Sequence, residues 1–303
     1  MRIVFMGTPA FATPSLERLY SDGHDVAAVF TQPDKPRNRG MKVSYSAVKE
    51  VAMVQGTQIY QPDSLKGSEA ADAIRSLSCD LLVVVAYGKL LRRNILDLPP
   101  FGCINIHGSL LPKYRGAAPI QWAILNGETE TGLTSMFIEE ELDAGDMLLD
   151  VKTQIGEDET AGELQSRLSL LGAKLLSDTI AAIESGTAVR IPQDHAEATH
   201  APMLDKSYSP IDWTQSAISI KQKVRALNPW PIATADFNGV VYKIFSVDVV
   251  ESTQSGKMPG EIVEAGPQGL KVACSDAIVS IKELQAPGGK RMQAADYLKG
   301  NKI

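Results

Sequence analysis

The chain has 303 residues, of which 44% are hydrophobic and 22% are charged, so it is long enough for two domains and too apolar to be disordered. Its net charge of −6 gives no sign of a nucleic-acid partner, and no apolar run approaches the ~20 residues that span a membrane. No signal-peptide pattern opens the sequence and its three cysteines form no CxxC pair, so we expect a cytoplasmic protein without a disulfide framework or a metal site.

The first half of the sequence alternates apolar runs with helical patterns. Thr13 and Pro14 fit a helix N-cap followed by proline in the first turn. Leu81–Ala86 is a continuous apolar run, which is typical of a central strand that is covered on both faces. Strands are predicted at residues 2–6, 25–31, 58–60, 81–86 and 103–106, with helices near 13–22, 44–55 and 64–77. This alternation predicts an α/β fold with a doubly wound, mostly parallel, Rossmann-like sheet.

The second half begins with one long helix and then changes character. Thr160 and Glu163 have the spacing of a capping box at its start, and Gly186 follows its last periodic residue. Short apolar runs after Trp213, cut by Gly, Pro and Ser, predict a small OB-like β-barrel behind a helix at Ser216–Leu227. We therefore divide the chain into a first domain (1–190), a linker without periodicity (191–206) and a C-terminal domain (207–303).

The stretch from Gly102 to Trp122 carries the clearest chemical signal. Asn105 and His107 are two residues apart on a predicted strand, so their side chains point to the same face. They also come at the carboxyl end of that strand, where open α/β sheets bind ligands. An amide donor beside an imidazole suits acyl transfer, which needs a donor for a developing oxyanion and a group that titrates near neutral pH. Taken alone, this pair would more often be a turn cap and a structural histidine.

The surrounding residues resemble a known family. NIHGSLLPKYRGAAPIQWAI, from Asn105 onward, resembles the signature of the folate-dependent formyltransferases, and LDAGD at Leu142–Asp146 resembles their second motif. Four further motifs match the methionyl-tRNA formyltransferases of this family in order and spacing: GTPAFA at Gly7–Ala12, TQPDKP at Thr31–Pro36, VVVAYG at Val83–Gly88 and NPWP at Asn228–Pro231. The resemblance covers essentially the whole chain.

The resemblance implies a reaction and the residues that perform it. The formyl donor would be 10-formyltetrahydrofolate, with no metal, and the acceptor would be the free α-amino group of methionine on initiator methionyl-tRNA. The family's catalytic residues fall on Asn105, His107 and Asp143. Its folate-binding motif falls on Ser109, Leu110, Leu111 and Pro112, and the loop with Tyr87 and Gly88 would line the pterin pocket. A monomer is expected from the same resemblance.

Positive charge is concentrated in two places that the resemblance assigns to tRNA. The loop Gln32–Val43 carries Lys35, Arg37, Arg39 and Lys42 against one acid, Asp34. In the family this loop enters the acceptor end of the tRNA, and Arg39 would read the unpaired end of the stem. Residues 205–303 hold 12 Lys and Arg against 10 Asp and Glu, and a helix there could present a basic stripe of Lys221, Lys223 and Arg225 to the tRNA backbone.

The sequence departs from the family pattern in one place and leaves other functions open. Glu141 and Ala144 stand where the family has a small residue and a threonine, and the glutamates 139–141 either crowd Asp143 or line an exposed hairpin tip. A sugar-nucleotide formyltransferase shares the two main motifs but lacks the basic loop. A dinucleotide-dependent oxidoreductase is disfavoured because the second and third glycines of GxGxxG are missing after strand one. A non-catalytic RNA-binding protein is disfavoured because Asn105, His107 and Asp143 are all present.

Overall fold

The computed structural model describes residues 1–37, 42–250 and 256–303. They form two compact units that do not follow the order of the sequence. Unit 1 comprises Met1–Pro119, Thr131–Thr153 and Gln165–Ala201, and unit 2 comprises Ile120–Glu130, Gln154–Leu164 and Pro202–Ile303. Among the helices of these residues, none has the length and hydropathy that a bilayer crossing requires.

Unit 1 is built on a seven-stranded sheet. The first eleven strands of the chain are β1 (Arg2–Gly7), β2 (Asp25–Phe30), β3 (Lys35–Arg37), β4 (Lys42–Ser44), β5 (Ile59–Tyr60), β6 (Leu81–Val85), β7 (Cys103–His107), β8 (Arg115–Gly116), β9 (Glu130–Phe137), β10 (Met147–Gln154) and β11 (His200–Ala201). The sheet has the order β10-β9-β7-β6-β1-β2-β5. The five neighbouring strands β7, β6, β1, β2 and β5 run parallel to one another. Strand β9 is antiparallel to β7. The predicted doubly wound, mostly parallel sheet is confirmed.

Two small strand pairs accompany the main sheet. β3 and β4 form an antiparallel hairpin inside the segment that the sequence predicts to be a loop. β8 and β11 form a short parallel pair, in which His200 and Ala201 lie opposite Arg115 and Gly116. Residues 191–201, predicted as part of a linker, therefore belong to unit 1 and pair with a segment close behind β7.

Helices connect the strands, and their boundaries follow local capping chemistry. The first six are α1 (Thr13–Ser21), α2 (Ala47–Val54), α3 (Ser68–Leu77), α4 (Arg93–Leu96), α5 (Pro119–Leu125) and α6 (Ala161–Glu184). The predicted capping box is confirmed, because Thr160 and Glu163 each accept a backbone N–H bond from the other at 3.3 and 2.9 Å. The predicted N-cap at Thr13 is wrong, since Thr13 is already helical and its hydroxyl donates to the carbonyl of Ala10.

Unit 2 carries the antiparallel sheet expected of the C-terminal part. Its elements are α7 (Ala217–Ala226), β12 (Ala233–Phe237), β13 (Val240–Val250), β14 (Ile262–Gly266), β15 (Gly269–Ala273), β16 (Ile278–Gln285), β17 (Met292–Gln293) and α8 (Ala294–Leu298). The strands pair in the order β12-β13-β16-β15-β14, with β17 also on β16, and every pair is antiparallel. The OB-like description of this sheet stays a prediction.

The basic stripe predicted on α7 is wrong. Lys221 forms ion pairs with Glu157 and Asp158 at 3.7 and 2.6 Å. The Lys223 ammonium donates to the carbonyl of Pro210, and burial lowers the pKa of this lysine. Arg225 likewise donates to the Gly156 and Glu159 carbonyls at 2.8 and 3.3 Å. Lys221 and Arg225 are four residues apart and share a face, from which Lys223 points away, and all three cations are bound within unit 2.

The loop behind β6 buries a tyrosine that lacks a hydrogen bond. Tyr87 is 1% exposed within the apolar core of unit 1, and its hydroxyl has no hydrogen-bond partner among the described residues. Burial raises the pKa of Tyr87 to about 12. A buried hydroxyl without a partner costs roughly 1–3 kcal/mol relative to its hydrated state.

We therefore predict that Tyr87→Phe leaves the free energy of unfolding unchanged or raises it by about 1 kcal/mol, because the apolar ring is kept and the unpaired hydroxyl is removed. Urea unfolding of the two proteins measures the difference. Tyr242→Phe is the matched control: Tyr242 is also buried, but it is hydrogen-bonded to Tyr297, so this variant should lose stability. A clear loss of stability in Tyr87→Phe would show that the hydroxyl is bonded.

Candidate active site

His107 is the last residue of β7, and two contacts hold its ring. The side chain is 5% exposed. Its Nε2 atom lies 2.9 Å from the carbonyl oxygen of Tyr114, and its Nδ1 atom lies 3.6 Å from Oδ2 of Asp143. The predicted approach of these two catalytic candidates is therefore present in the structure. Both belong to unit 1, where the carboxyl end of a central strand meets the loop that precedes β10.

The two contacts of His107 fix which ring nitrogen carries a proton. A carbonyl oxygen only accepts, so the Nε2 of His107 must donate to Tyr114. The remaining nitrogen, Nδ1, then faces the Asp143 carboxylate with either a lone pair or an N–H. A doubly protonated ring would give Asp143 an N–H partner, whereas a ring protonated only at Nε2 would turn a lone pair toward the carboxylate. At 3.6 Å the contact is longer than a hydrogen bond, so an Nδ1–H would remain available to a bound substrate.

Asp143 sits in a strained turn that small residues permit. Its φ angle is +53°, a left-handed conformation that is uncommon outside glycine. Its Oδ2 atom accepts a backbone hydrogen bond of 2.8 Å from Gly116. At Gly145 a Cβ atom would lie 2.0 Å from the carbonyl oxygen of Phe137, so only glycine fits there. The φ angle of Asp143 and the hydrogen bond from Gly116 together hold the carboxylate toward the imidazole of His107.

Asn105 is the third residue of the predicted catalytic set. It lies on β7 between Val84 of β6 and Met136 of β9, and its side chain is partly exposed. Within the described part of the chain this side chain forms no hydrogen bond. Strand alternation places it on the same face as His107. An unengaged donor beside an imidazole and a carboxylate is what a polar reacting group requires.

The segment Ser109–Pro112 forms a turn with two buried and two accessible residues. The Ser109 hydroxyl donates to the carbonyl of Lys113 at 2.6 Å. The Thr134 hydroxyl donates to the Ser109 carbonyl at 2.8 Å and accepts from the Leu111 amide at 3.1 Å. Ser109 and Leu111 are thus buried supports, whereas Leu110 and Pro112 are partly exposed. The motif presents an apolar surface of fixed shape rather than a set of polar side chains.

The loop after β6 is tied to the loops after β1 and β2 at the same edge of the sheet. The carbonyl of Tyr87 accepts from the Thr8 hydroxyl at 3.1 Å and from the Gln32 amide at 3.0 Å. Ala86 and Gly88 have φ angles of +49° and +85°, so the backbone turns sharply on both sides of Tyr87. Since the phenol is buried, Tyr87 can offer a ligand only its backbone.

Two further polar residues support the site, and sequence reasoning missed them. Gln193 donates to the carbonyls of Asp143 and Gly145 at 2.9 and 2.8 Å. Arg115, which is 3% exposed, donates to Gln193 Oε1 at 3.1 and 2.7 Å. Arg115 lies in the quoted motif, but Gln193 lies in the stretch predicted as a linker. A loss of periodicity gave no signal that this stretch packs beside the site.

Sequence comparison decides the family. Residues 1–180 match the family described as formyl transferase, and residues 203–302 match the formyl transferase C-terminal domain. The chain belongs to the formyl transferase family. This formyl transferase is 49% identical to the methionyl-tRNA formyltransferase of Acetivibrio thermocellus over 100% of its own length and 97% of the relative. It is 48% identical to that of Alkaliphilus oremlandii, again over 100% and 97%.

Solved structures share the fold of this formyl transferase at low sequence identity. An N-formyltransferase from Helicobacter canadensis, solved with folinic acid and dTDP-3-aminofucose, aligns with a TM-score of 0.70, 17% identity, and coverage of 93% of this chain and 99% of that one. HypX from Aquifex aeolicus, solved with tetrahydrofolic acid, aligns with a TM-score of 0.63 and 18% identity over 98% and 47% of the two chains. At these identities the likeness shows the fold.

The departures from the family pattern leave the turn of this formyl transferase intact. The glutamates 139–141 are exposed, which favours the exposed hairpin tip over crowding of Asp143. Glu141 reaches Arg115 at 3.7 Å, although its own side chain is 70% exposed. Ala144 is buried, where its small side chain fits. No group of three His, Cys, Asp or Glu in the described ranges is arranged to hold a metal.

The basic loop of this formyl transferase is described only in part. Arg39 lies outside the described residues, and Lys35, Arg37 and Lys42 lie on β3 and β4, where only the backbone is described. Before the hairpin, the Asp34 carboxylate accepts from Lys49 of α2 and, at 2.8 Å, from Gln61. The Lys49 hydrogen bond lowers the pKa of Asp34. The segment that leads into β3 is therefore fixed to α2 and to Gln61.

Gly116 should be intolerant of a side chain. Its φ angle is +119°, and a Cβ atom would lie 2.7 Å from the carbonyl oxygen of Ala201. We predict that Gly116→Ala lowers the free energy of unfolding by at least about 2 kcal/mol and the formylation rate by ~10², because it displaces the N–H that binds Asp143.

The control for Gly116→Ala is Gly67→Ala, since Gly67 has open space around it and an ordinary φ angle. Thermal unfolding and single-turnover rates of both variants check the prediction. Wild-type rates in a folded Gly116→Ala protein would mean that its N–H does not position Asp143.

Proposed function

We propose that this formyl transferase moves the formyl group of 10-formyltetrahydrofolate to the free α-amino group of methionine on initiator methionyl-tRNA. Full-length relatives at 48–49% identity that are named methionyl-tRNA formyltransferase support the reaction. The observation that carries the chemistry is the distance of 3.6 Å between Nδ1 of His107 and Oδ2 of Asp143. His107 shares its strand with Asn105, whose side-chain amide forms no hydrogen bond among the described residues. The acceptor brings its own nucleophile, so the reaction requires no serine or cysteine nucleophile from the protein.

The folate co-substrate supplies a formyl carbon on N10, which takes a proton when it leaves. The residues present fit such a group in two respects. The accessible faces of Leu110 and Pro112 suit the flat, apolar part of a pterin, and the turned backbone at Gly88 gives close access to its polar edge. The buried Ser109 and Leu111 hold that surface in place. We expect Tyr87 to contribute through its backbone, since its ring is buried.

Three side chains of this chain then handle charge and protons. As the amine attacks, a C–N bond to methionine forms and negative charge develops on the formyl oxygen. The C–N10 bond then breaks, and N10 takes up the proton that the amine has given to Asp143. Asn105 and the Nδ1–H of His107 donate hydrogen bonds to that oxygen. Asp143 keeps the imidazolium in place and accepts, directly or through a water molecule, the proton that the amine loses. The Tyr114 carbonyl prevents the ring from rotating away.

The tRNA contacts are assigned to the basic hairpin and to the C-terminal residues. Lys35, Arg37, Arg39 and Lys42 would contact the acceptor end, with Arg39 reading its unpaired terminus. Residues 1–190 would act as the catalytic domain and 207–303 as the domain that binds the tRNA backbone, while 191–206 connects the two and contributes its residues 191–201 to unit 1. We propose a monomer that acts in the cytoplasm, where its tRNA substrate enters translation.

An assay with two acceptors tests the proposed substrate. Purified protein is given 10-formyltetrahydrofolate with either charged initiator methionyl-tRNA or a dTDP-amino sugar, and formylated product is measured. Formylation of the tRNA alone is expected. Formylation of the sugar alone would replace the proposal with a sugar-nucleotide formyltransferase.

The catalytic residues are tested by substitution. We predict that Asn105→Ala and Asp143→Asn each slow single-turnover formylation by at least ~10², because each removes a group that acts only while charge develops. Thermal unfolding should change little. Asp178→Asn, at an exposed ion pair with Lys174, is the matched control and should react at the wild-type rate. Near-normal rates for Asn105→Ala or Asp143→Asn would remove those residues from the mechanism.

The hairpin is tested separately from the chemistry. We predict that Arg39→Ala raises KM for initiator tRNA severalfold and leaves folate affinity unchanged, since a phosphate or base contact is lost and the catalytic residues are untouched. Arg75→Ala, an exposed arginine of α3 that pairs with Asp72, controls for loss of one positive charge. Equal KM values in the two variants would demote Arg39 to a surface residue.

A further inference from the structure

A buried chain of hydrogen bonds runs from Arg115 to the turn that carries Asp143. The guanidinium of Arg115 only donates, so the amide oxygen of Gln193 must face it, as the two bonds of 3.1 and 2.7 Å show. The amide nitrogen of Gln193 then points to the other side. There it donates to the carbonyls of Asp143 and Gly145 at 2.9 and 2.8 Å. Both polar atoms of the Gln193 amide are therefore hydrogen-bonded, the oxygen to Arg115 and the nitrogen to the turn, and this fixes the orientation of the amide.

The turn requires such support because Asp143 has a positive φ angle. A non-glycine residue in this conformation costs of order 1 kcal/mol and persists only when its surroundings impose it. The Gly116 N–H holds the carboxylate of Asp143, but one bond to one oxygen leaves the backbone free to relax. Gln193 binds the backbone at Asp143 itself and again two residues later, on both sides of Ala144.

Gln193 is the main partner of Arg115, because the other polar groups near the guanidinium lie farther away. Its guanidinium lies 3.7 Å from Glu141, whose side chain is largely exposed, and 3.3–3.4 Å from Nδ1 of His195. At 3% exposure a guanidinium is costly unless it is hydrogen-bonded. The neighbouring residue, Gly116, supplies the N–H to the Asp143 carboxylate. The dipeptide Arg115–Gly116 thus holds Asp143 twice, once directly and once through Gln193.

We propose that Gln193, oriented by Arg115, is a positioning residue that holds the Asp143 carboxylate against the imidazole of His107. This inference rests on the proposed roles of His107 and Asp143. Gln193 does not touch the reacting atoms and acts only through the turn. Its removal should therefore slow the chemical step without weakening binding of tRNA or folate.

Gln193→Met tests the proposal, because methionine has a similar length, carries no charge and cannot bind the two carbonyls. We expect the single-turnover rate to fall by ~10²-fold, which is the size of effect that a displacement of about 1 Å causes, with unchanged KM for tRNA. Thr179→Val is the matched control. It removes a buried hydroxyl that bonds Ser135 at 2.8 Å elsewhere in unit 1, so it should lower Tm and keep the wild-type rate.

A double-mutant cycle separates positioning from general destabilisation. In an Asp143→Asn background, Gln193→Met should cause little further loss of rate, because the group that it positions is already disabled. Losses that multiply would overturn the proposal, and so would a wild-type rate in folded Gln193→Met. If Gln193→Met does not fold, Gln193→Asn, which keeps the amide but is shorter by one methylene, gives the same two readings. A wild-type rate in Asp143→Asn would instead refute the proposed mechanism on which this inference rests.

Discussion

The contact between His107 and Asp143 is the interaction on which the site depends. It joins the end of β7 to a turn that is distant in sequence. The two side chains stay at this separation because a backbone hydrogen bond holds each of them. The Tyr114 carbonyl accepts a hydrogen bond of 2.9 Å from the Nε2 of His107, and the Gly116 N–H donates one of 2.8 Å to the Asp143 carboxylate. Residues 114–116 therefore hold both partners, and one short segment sets their separation.

The main sheet makes this arrangement possible. Parallel strands place their carboxyl ends at one edge, so the loops after β1, β2, β6 and β7 meet there. Hydrogen bonds from Thr8 and Gln32 to Tyr87 join three of these loops. The reversal at β9 brings the chain back beside β7 and delivers Asp143 to the same edge. The sheet thus gathers at one edge the residues that we propose for folate binding and for catalysis.

The sequence predicted the sheet because its strands follow local patterns, while the catalytic roles of Asn105, His107 and Asp143 stay a prediction. Apolar runs and capping residues define the strands and α6, and Asn105, His107 and Asp143 fall in recognisable motifs. It failed where tertiary contacts decide. Gln193 has no periodic or motif signal, and only its contact with Asp143 gives it a role. The predicted stripe of Lys221, Lys223 and Arg225 failed because charge along a sequence does not show which cations are already paired.

The protonation of His107 is the most direct test of the account. The ring nitrogens can be followed by 15N NMR in the wild type and in Asp143→Asn. The signals of His107 are those that disappear in His107→Gln. We predict that Nε2 carries a proton in both proteins, because Tyr114 accepts it, and that only the Nδ1 signal changes when the carboxylate is replaced. An unprotonated Nε2 in the wild type would contradict the geometry from which the mechanism is derived.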